Sequence, residues 1–278
     1  MIANKYKLIE KISEGAFGTV FKAENIRTKD YVAIKFELKV EQIKSLKNEA
    51  KIYQYLGKIE GFPQLKMFGT TEQTNYLIID LLGTSLLETI KRYNMLCLKT
   101  TLLLGIQIIK RIQALHDKYL LHRDIKPSNF LFGLGSQTNK LFLVDLGFSK
   151  RFNYDGTHIQ EKRISKIVGS PNFVSLNIHK HIEPSRRDDL ESCIYVILTM
   201  LNGKLEWFDK SNLDTIYDLK SKIIESKYVP EFIKIILLYI RNIKFDETPN
   251  YNYIIKIMID TFMENSFVND AIFEWHIK

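Results

Sequence analysis

Cysteine is almost absent. Only Cys97 and Cys193 occur in 278 residues, too few for a disulfide scaffold or a thiolate metal cage. Both lie in apolar neighbourhoods and are expected to be buried, reduced side chains. Long hydrophobic runs are missing as well. The longest uncharged apolar stretch, residues 193–201, falls far short of the roughly 20 residues that cross a membrane, and residues 1–7 lack the apolar core of a secretory signal. The expected location is intracellular, cytoplasmic and/or nuclear. No repeat, low-complexity tract or long linker interrupts the chain, so one compact, monomeric body is expected over 1–278. What remains is ordinary globular composition, 45% hydrophobic and 26% charged, which suffices for a sizeable core. The net charge of +8 favours acidic or phosphorylated partners. Its basic residues are dispersed, so no specific nucleic-acid binding is expected.

The informative part of the chain is one stretch, His122-Arg123-Asp124-Ile125-Lys126-Pro127-Ser128-Asn129, followed by Asp145-Leu146-Gly147. These residue types at this spacing supply what phosphoryl transfer requires. Asp124 can accept the proton of an incoming hydroxyl, and Lys126 can neutralise charge on the transferred group. Asn129 and Asp145 offer oxygen ligands to magnesium. Leu141-Phe142-Leu143-Val144 reads as a buried strand that delivers Asp145 to its end. An isolated H-R-D triplet carries little information; the ordered set carries much.

Residues 6–80 read as strands with one helix. Ser13-Glu14-Gly15-Ala16-Phe17-Gly18-Thr19-Val20 matches a phosphate-cradling Gly-rich loop in which Ser13 replaces the first glycine; a plain hairpin is the alternative. Tyr31-Val32-Ala33-Ile34-Lys35-Phe36-Glu37 alternates as a strand and puts Lys35 on the inward face, where a lysine pairs with α/β-phosphates. A helical segment over 42–56 supplies Glu49 as its carboxylate partner, against the alternative of two unrelated surface charges. Residues 76–83 read as a buried strand entering a connector. It serves either as a core turn or as a hinge for a purine, with Ile79 limiting the depth of the pocket.

Beyond residue 84 the pattern is helical. Thr84 or Ser85 is placed to cap a helix through Tyr93, and the helix over 100–115 is apolar nearly all round, hence central. His116 reads as a helix-end residue and His122 as a structural histidine orienting its loop; neither is given acid–base work. The polar segment from Ser149 to Lys166 reads as a mobile surface loop, with Thr157 and Ser165 as modifiable hydroxyls. Asp188 and Asp189 open an apolar helix, where they suit the helix dipole. The sharper reading has Asp189 reach back to the backbone of the Asp124 loop. Amphipathic helices are expected over 213–224, 231–240 and 253–263, with Trp207 and Trp275 as packing residues.

Taken together these motifs resemble a eukaryotic-type Ser/Thr protein kinase and, more narrowly, the casein kinase 1 family. The narrower resemblance rests on L-L-G-T-S-L at 81–86, H-R-D-I-K-P-S-N-F-L at 122–131, G-L-G-S-Q-T-N-K-L-F-L-V-D-L-G at 133–147 and S-L-N at 175–177. It also rests on S-R-R-D-D-L-E-S at 185–192, F-D-E-T-P-N-Y at 245–251 and A-I-F-E-W-H at 271–276. The resemblance implies an α+β, bilobal kinase fold. A small β-rich N-lobe with one main helix spans 1–79, a hinge 80–83, and a larger, mostly α-helical C-lobe 84–278, all one catalytic domain. It implies ATP and Mg2+ as cofactors and protein serine or threonine hydroxyls as acceptors. Asp124, Lys126 and Asn129 would be catalytic, and Asn129 and Asp145 would hold the metal. Ile12, Gly15, Gly18, Val20, Ala33, Lys35, Glu49, Ile79, Asp80, Leu82 and Asp145 would contact or position the nucleotide.

Three departures stand out. Ser13 replaces a loop glycine, and Leu146 replaces the phenylalanine of D-F-G. Asn172 stands where the family's G-T-A-R-Y places an anion-binding arginine, which implies weaker selectivity for phosphate-primed sites unless Lys150, Lys166, Arg186 or Lys204 compensates. Two other functions stay open. A non-catalytic scaffold would be favoured by loss of Lys35, Asp124 or Asp145, all of which are present. Against a small-molecule phosphotransferase of related fold stands the kinase-like segment from Ser185.

Overall fold

Alternating β-branched and aromatic residues in the first eighty positions build an antiparallel sheet of five strands. These are β1 (Tyr6–Gly15), β2 (Gly18–Asn25), β3 (Tyr31–Leu38), β4 (Leu65–Thr70) and β5 (Thr74–Asp80), in the order β1-β2-β3-β5-β4. The computed structural model describes residues 1–15, 18–39, 45–270 and 272–276. Ala16 and Phe17 of the Gly-rich loop, and the start of the helix expected from residue 42, lie outside the described residues. Within them the chain forms two compact units. The first comprises Met1–Gly83 and Leu131–Phe148, the second Thr84–Phe130 and Ser149–Lys278.

In the first unit the central strand β3 buries Val32, Ala33, Ile34 and Glu37. One face carries Tyr6, Ala23, Val32, Ile34, Tyr76 and Ile78 as an apolar cluster. Register puts Val20 opposite Lys35, Lys35 opposite Leu77, and Ala33 opposite Ile79, so these residues share the other face. Gly18 has φ +117°, and a Cβ there would stand 1.8 Å from the Phe36 carbonyl oxygen, so the hairpin turn requires glycine. Helix α1 (Ser45–Leu56) packs on β4 and β5 and buries Leu46, Glu49, Ala50, Ile52, Tyr53 and Leu56. The late segment joins this unit through backbone hydrogen bonds: Gly83 N–H to Phe132 O at 2.8 Å and Leu143 N–H to Gly61 O at 2.8 Å.

The second unit is helical: α2 (Leu86–Tyr93), α3 (Leu98–His116), α4 (Leu176–His179), α5 (Arg186–Asn202), α6 (Leu213–Ser221), α7 (Glu231–Asn242) and α8 (Tyr251–Glu264). Ser85 caps α2 in a reciprocal box with Glu88. Helix α3 packs against α5 and α8, and α5 is buried along its whole middle, which accounts for its apolar run. Among the described residues no helix is long and apolar enough to cross a membrane.

Two expectations are corrected. Cys193 is buried, but Cys97 is exposed, because it occupies the N-cap position of α3. The segment after Ser149 is more ordered than a mobile loop. Strands Asn153–Tyr154 and Thr157–His158 form a small hairpin, and Arg163 bridges Ile182. Buried Phe152 anchors the segment through edge-on ring contacts with His116 and Tyr119.

Candidate active site

The first unit gathers three charged residues that the motifs single out. Strand β3 projects Lys35, α1 presents Glu49, and Asp145 follows the buried strand Leu141–Leu143. The Lys35 ammonium donates to Glu49 Oε2 at 2.8 Å and to Asp145 Oδ1 at 2.7 Å. Burial alone would depress the Lys35 pKa, but the two carboxylates more than reverse it and hold it above the ordinary lysine value. Glu49 is itself buried, which pushes its carboxyl upward against the pull of Lys35, and the Leu146 N–H supports its charged form. Asp145 sits at φ 64°, a left-handed conformation that aspartate tolerates better than most residues. Of the other expected nucleotide contacts, Val20, Ala33 and Ile79 share the sheet face of Lys35. Gly15 and Gly18 pair across the β1–β2 turn, and Ile12 is exposed. Leu82 lies half-buried in the connector. The Asp80 carboxylate accepts from Gln64 N–H at 2.7 Å and pairs with Lys66, so its side chain is engaged locally.

The second unit holds Asp124, Lys126 and Asn129 in one loop. Lys126 donates to Asp124 Oδ2 at 2.6 Å, and the Asn129 amide N–H donates to the Asp124 carbonyl at 2.8 Å. Beneath the loop lies a frame of buried groups. Asp189 accepts the N–H of His122 at 2.7 Å and of Arg123 at 2.9 Å. His122 Nδ1 accepts the Asp124 N–H at 3.3 Å, which fits an orienting role. His116 lies 3.0 Å from Asp189 Oδ2 and 2.7 Å from the Tyr251 hydroxyl. Burial would raise the Asp189 carboxyl, but hydrogen bonding and charge from His116, with support from His122 and the Arg123 N–H, hold it below the usual aspartate value. Asp188, which accepts from the Ser175 hydroxyl and the Ser185 N–H, and Asp189 are thus both committed to the interior, beyond any interaction with the helix dipole.

One participant escapes the sequence reading. The Ser170 hydroxyl donates to Asp124 Oδ1 at 2.8 Å, so both carboxylate oxygens are engaged, one by a hydroxyl and one by an ammonium. The signal available was Gly169 just before it. This glycine has φ +103°, and a Cβ there would meet the Arg123 carbonyl oxygen at 2.5 Å, so only glycine lets the chain pass this near the Asp124 loop immediately before Ser170.

Among the described residues no group of three or more His, Cys, Asp or Glu is placed to hold a metal ion. Magnesium characteristically binds through one or two protein carboxylates and the phosphates it accompanies. Asp145 offers such a carboxylate. Asn129 spends its amide N–H on Asp124, which leaves its amide oxygen as the remaining polar atom of that side chain.

A family model described as the protein kinase domain matches residues 6–264. The β-rich first unit with one main helix and the larger helical second unit are the α+β architecture that this family's fold implies.

Proposed function

Because the chain belongs to the protein kinase domain family, we propose that it is a Ser/Thr protein kinase of the casein kinase 1 type, with residues 1–278 acting as one catalytic domain. The observation that carries this reading is Asp124, whose two oxygens hold Lys126 and Ser170 while its backbone is fixed from below. In this role Asp124 accepts the proton of a serine or threonine hydroxyl as that oxygen forms its bond to the γ-phosphorus of ATP, and ADP departs with the electrons of the broken P–O bond. Lys126 offsets charge on the transferred phosphoryl group. Lys35, held by Glu49, binds the α- and β-phosphates, with Ile12, Gly15, Gly18, Val20, Ala33, Ile79, Asp80 and Leu82 as further nucleotide contacts. Asp145 and Asn129 would hold magnesium, which when bound neutralises phosphate charge. Most of the acceleration comes from positioning and electrostatics.

The casein kinase 1 assignment rests on the sequence motifs. The structure adds support for a member with reduced preference for primed substrates. Asn172 brings no charge, and its carbonyl accepts from the Trp207 indole N–H at 2.8 Å. Lys150 pairs with Glu183 at 2.6 Å, Arg186 donates to Asp246 O and Thr248, and Lys204 pairs with Asp209. Of the four candidates to replace the arginine, Lys166 is exposed and the other three are engaged. Incubation with labelled ATP, magnesium and casein tests the activity; absence of Asp124-dependent label on serine or threonine refutes it. Equal turnover of phosphorylated and unphosphorylated peptides supports the substrate reading, and a large preference for the primed peptide overturns it.

A further inference from the structure

Lys220 of α6 is fully buried, and the transfer chemistry does not use it. Its Nζ donates to Pro171 O at 2.7 Å and Val174 O at 2.7 Å and lies 3.2 Å from His179 Nε2. An ammonium has three N–H bonds, enough for all three acceptors, whereas a neutral amine has two. Between the two carbonyls, Asn172 O takes the Trp207 indole N–H, and the Ser170 carbonyl takes the N–H groups of Phe173 and Val174. The turn over residues 170–174 is thus pinned from its buried side. At its start stands Ser170, bonded to Asp124. The same turn walls a groove of about 450 Å³ that Lys126, Pro127, Leu87 and Ile216 also line.

We propose that Lys220 is a positioning residue for the acceptor peptide: its ammonium clamps the 170–174 turn, holding Ser170 on Asp124 and shaping the groove beside Lys126, and loss of its proton to solvent slackens that grip. The proposal rests on the kinase reading above. The groups facing Lys220 are His179 from α4, Glu191 and Tyr195 from α5, and Arg241 from α7, whose guanidinium also donates to the Lys220 carbonyl at 2.9 Å. The Tyr195 and Trp207 rings cover the ammonium at 4.9 and 5.6 Å. Burial depresses the Lys220 pKa to about 7, with Glu191 opposing and Arg241 reinforcing. Burial, with Lys220 next, lowers His179 to about 4, so its imidazole is neutral and able to accept. The clamp therefore holds from weakly acidic pH up to about 7 and weakens above it.

The test has two arms on the full chain. In steady-state kinetics with a serine peptide and magnesium ATP, the peptide KM is expected to rise about tenfold as pH climbs past neutrality, the scale of one charged hydrogen bond, while the ATP KM stays level. Lys220→Met should show the raised peptide KM at every pH, and Lys220→Arg should flatten the alkaline rise. A level wild-type peptide KM, or wild-type behaviour in folded Lys220→Met, overturns the proposal. The second arm needs neither activity nor variants: amide exchange at Phe173 and Val174, corrected for its intrinsic pH dependence, should lose protection above about pH 7. Constant protection overturns the clamp, whereas lost protection in a protein with no Asp124-dependent transfer indicts the kinase reading instead.

Discussion

The two charged centres are built on opposite terms. In the first unit, Lys35, Glu49 and Asp145 hold one another through side-chain charge, with the lysine shared between two carboxylates. In the second, Asp124 has an ion pair of its own with Lys126, but its main chain is fixed as well, because Asp189, His122 and Asn129 spend their polar atoms on the backbone around it. A charge-held group can exchange partners when a polyanion arrives. A backbone-held group keeps its place unless buried hydrogen bonds are broken. Under the proposed function, the contrast would suit a Lys35 that takes up phosphates and an Asp124 that stays aimed as the base.

Five variants break or sharpen that contrast, from the largest effect to the smallest. Asp124→Asn should cut transfer by about 10²–10⁴ while leaving binding of a fluorescent nucleotide unchanged; a wild-type rate would remove the role assigned to Asp124. Asp189→Ala should cost about 3–5 kcal/mol in denaturant unfolding, because several buried donors lose their partner. Glu49→Gln should cost far less stability and instead raise the ATP KM. Equal losses in these two variants would erase the distinction between the centres.

The buried network should also carry its own pH dependence. Burial raises the Asp188 carboxyl to about 6, against hydrogen bonds from Ser175, the Ser185 N–H and Asn177. Its folded pKa lies above its unfolded value, so its contribution is complete below about pH 4 and is lost as pH rises through about 6. Wild type should therefore lose about 1–3 kcal/mol relative to Asp188→Asn over that window, as read from urea midpoints; a constant gap between the two would contradict this. Smallest, Asp145→Asn should weaken magnesium-dependent nucleotide binding about tenfold, as removal of a carboxylate ligand predicts. Unchanged dependence on magnesium would move the metal elsewhere.

How much of this is legible in the sequence depends on where each partner lies. Lys35, Glu49 and Asp145 are readable because strand and turn ends fix them at recognisable spacings. Asp189 is only half readable, since any acidic residue at a helix start suits the dipole. Ser170 is announced only by the glycine before it, and Lys220 by nothing. Their partners lie 41 or more residues away, and neither a loop serine nor a helical lysine announces burial. Cys97 misleads because burial stops at its neighbour: Leu96 enters the core while Cys97, at the helix start, faces solvent. The segment after Ser149 misleads for the converse reason, as its polar composition conceals the buried anchor Phe152 and the backbone bridge from Arg163 to Ile182.

The route of the chain has a consequence for biosynthesis. It leaves the sheet-bearing unit after Gly83 and returns at Leu131 with the strand and turn that carry Asp145. A ribosome releasing the chain from its N-terminus therefore exposes five strands and a helix well before their last partner is made. Until Leu143 emerges, Gly61 lacks the amide that its carbonyl accepts, and until Asp145 emerges, Lys35 lacks its second carboxylate. A stop codon placed after Gly83 should accordingly yield an aggregation-prone fragment, and one placed after Phe148 a more protected one.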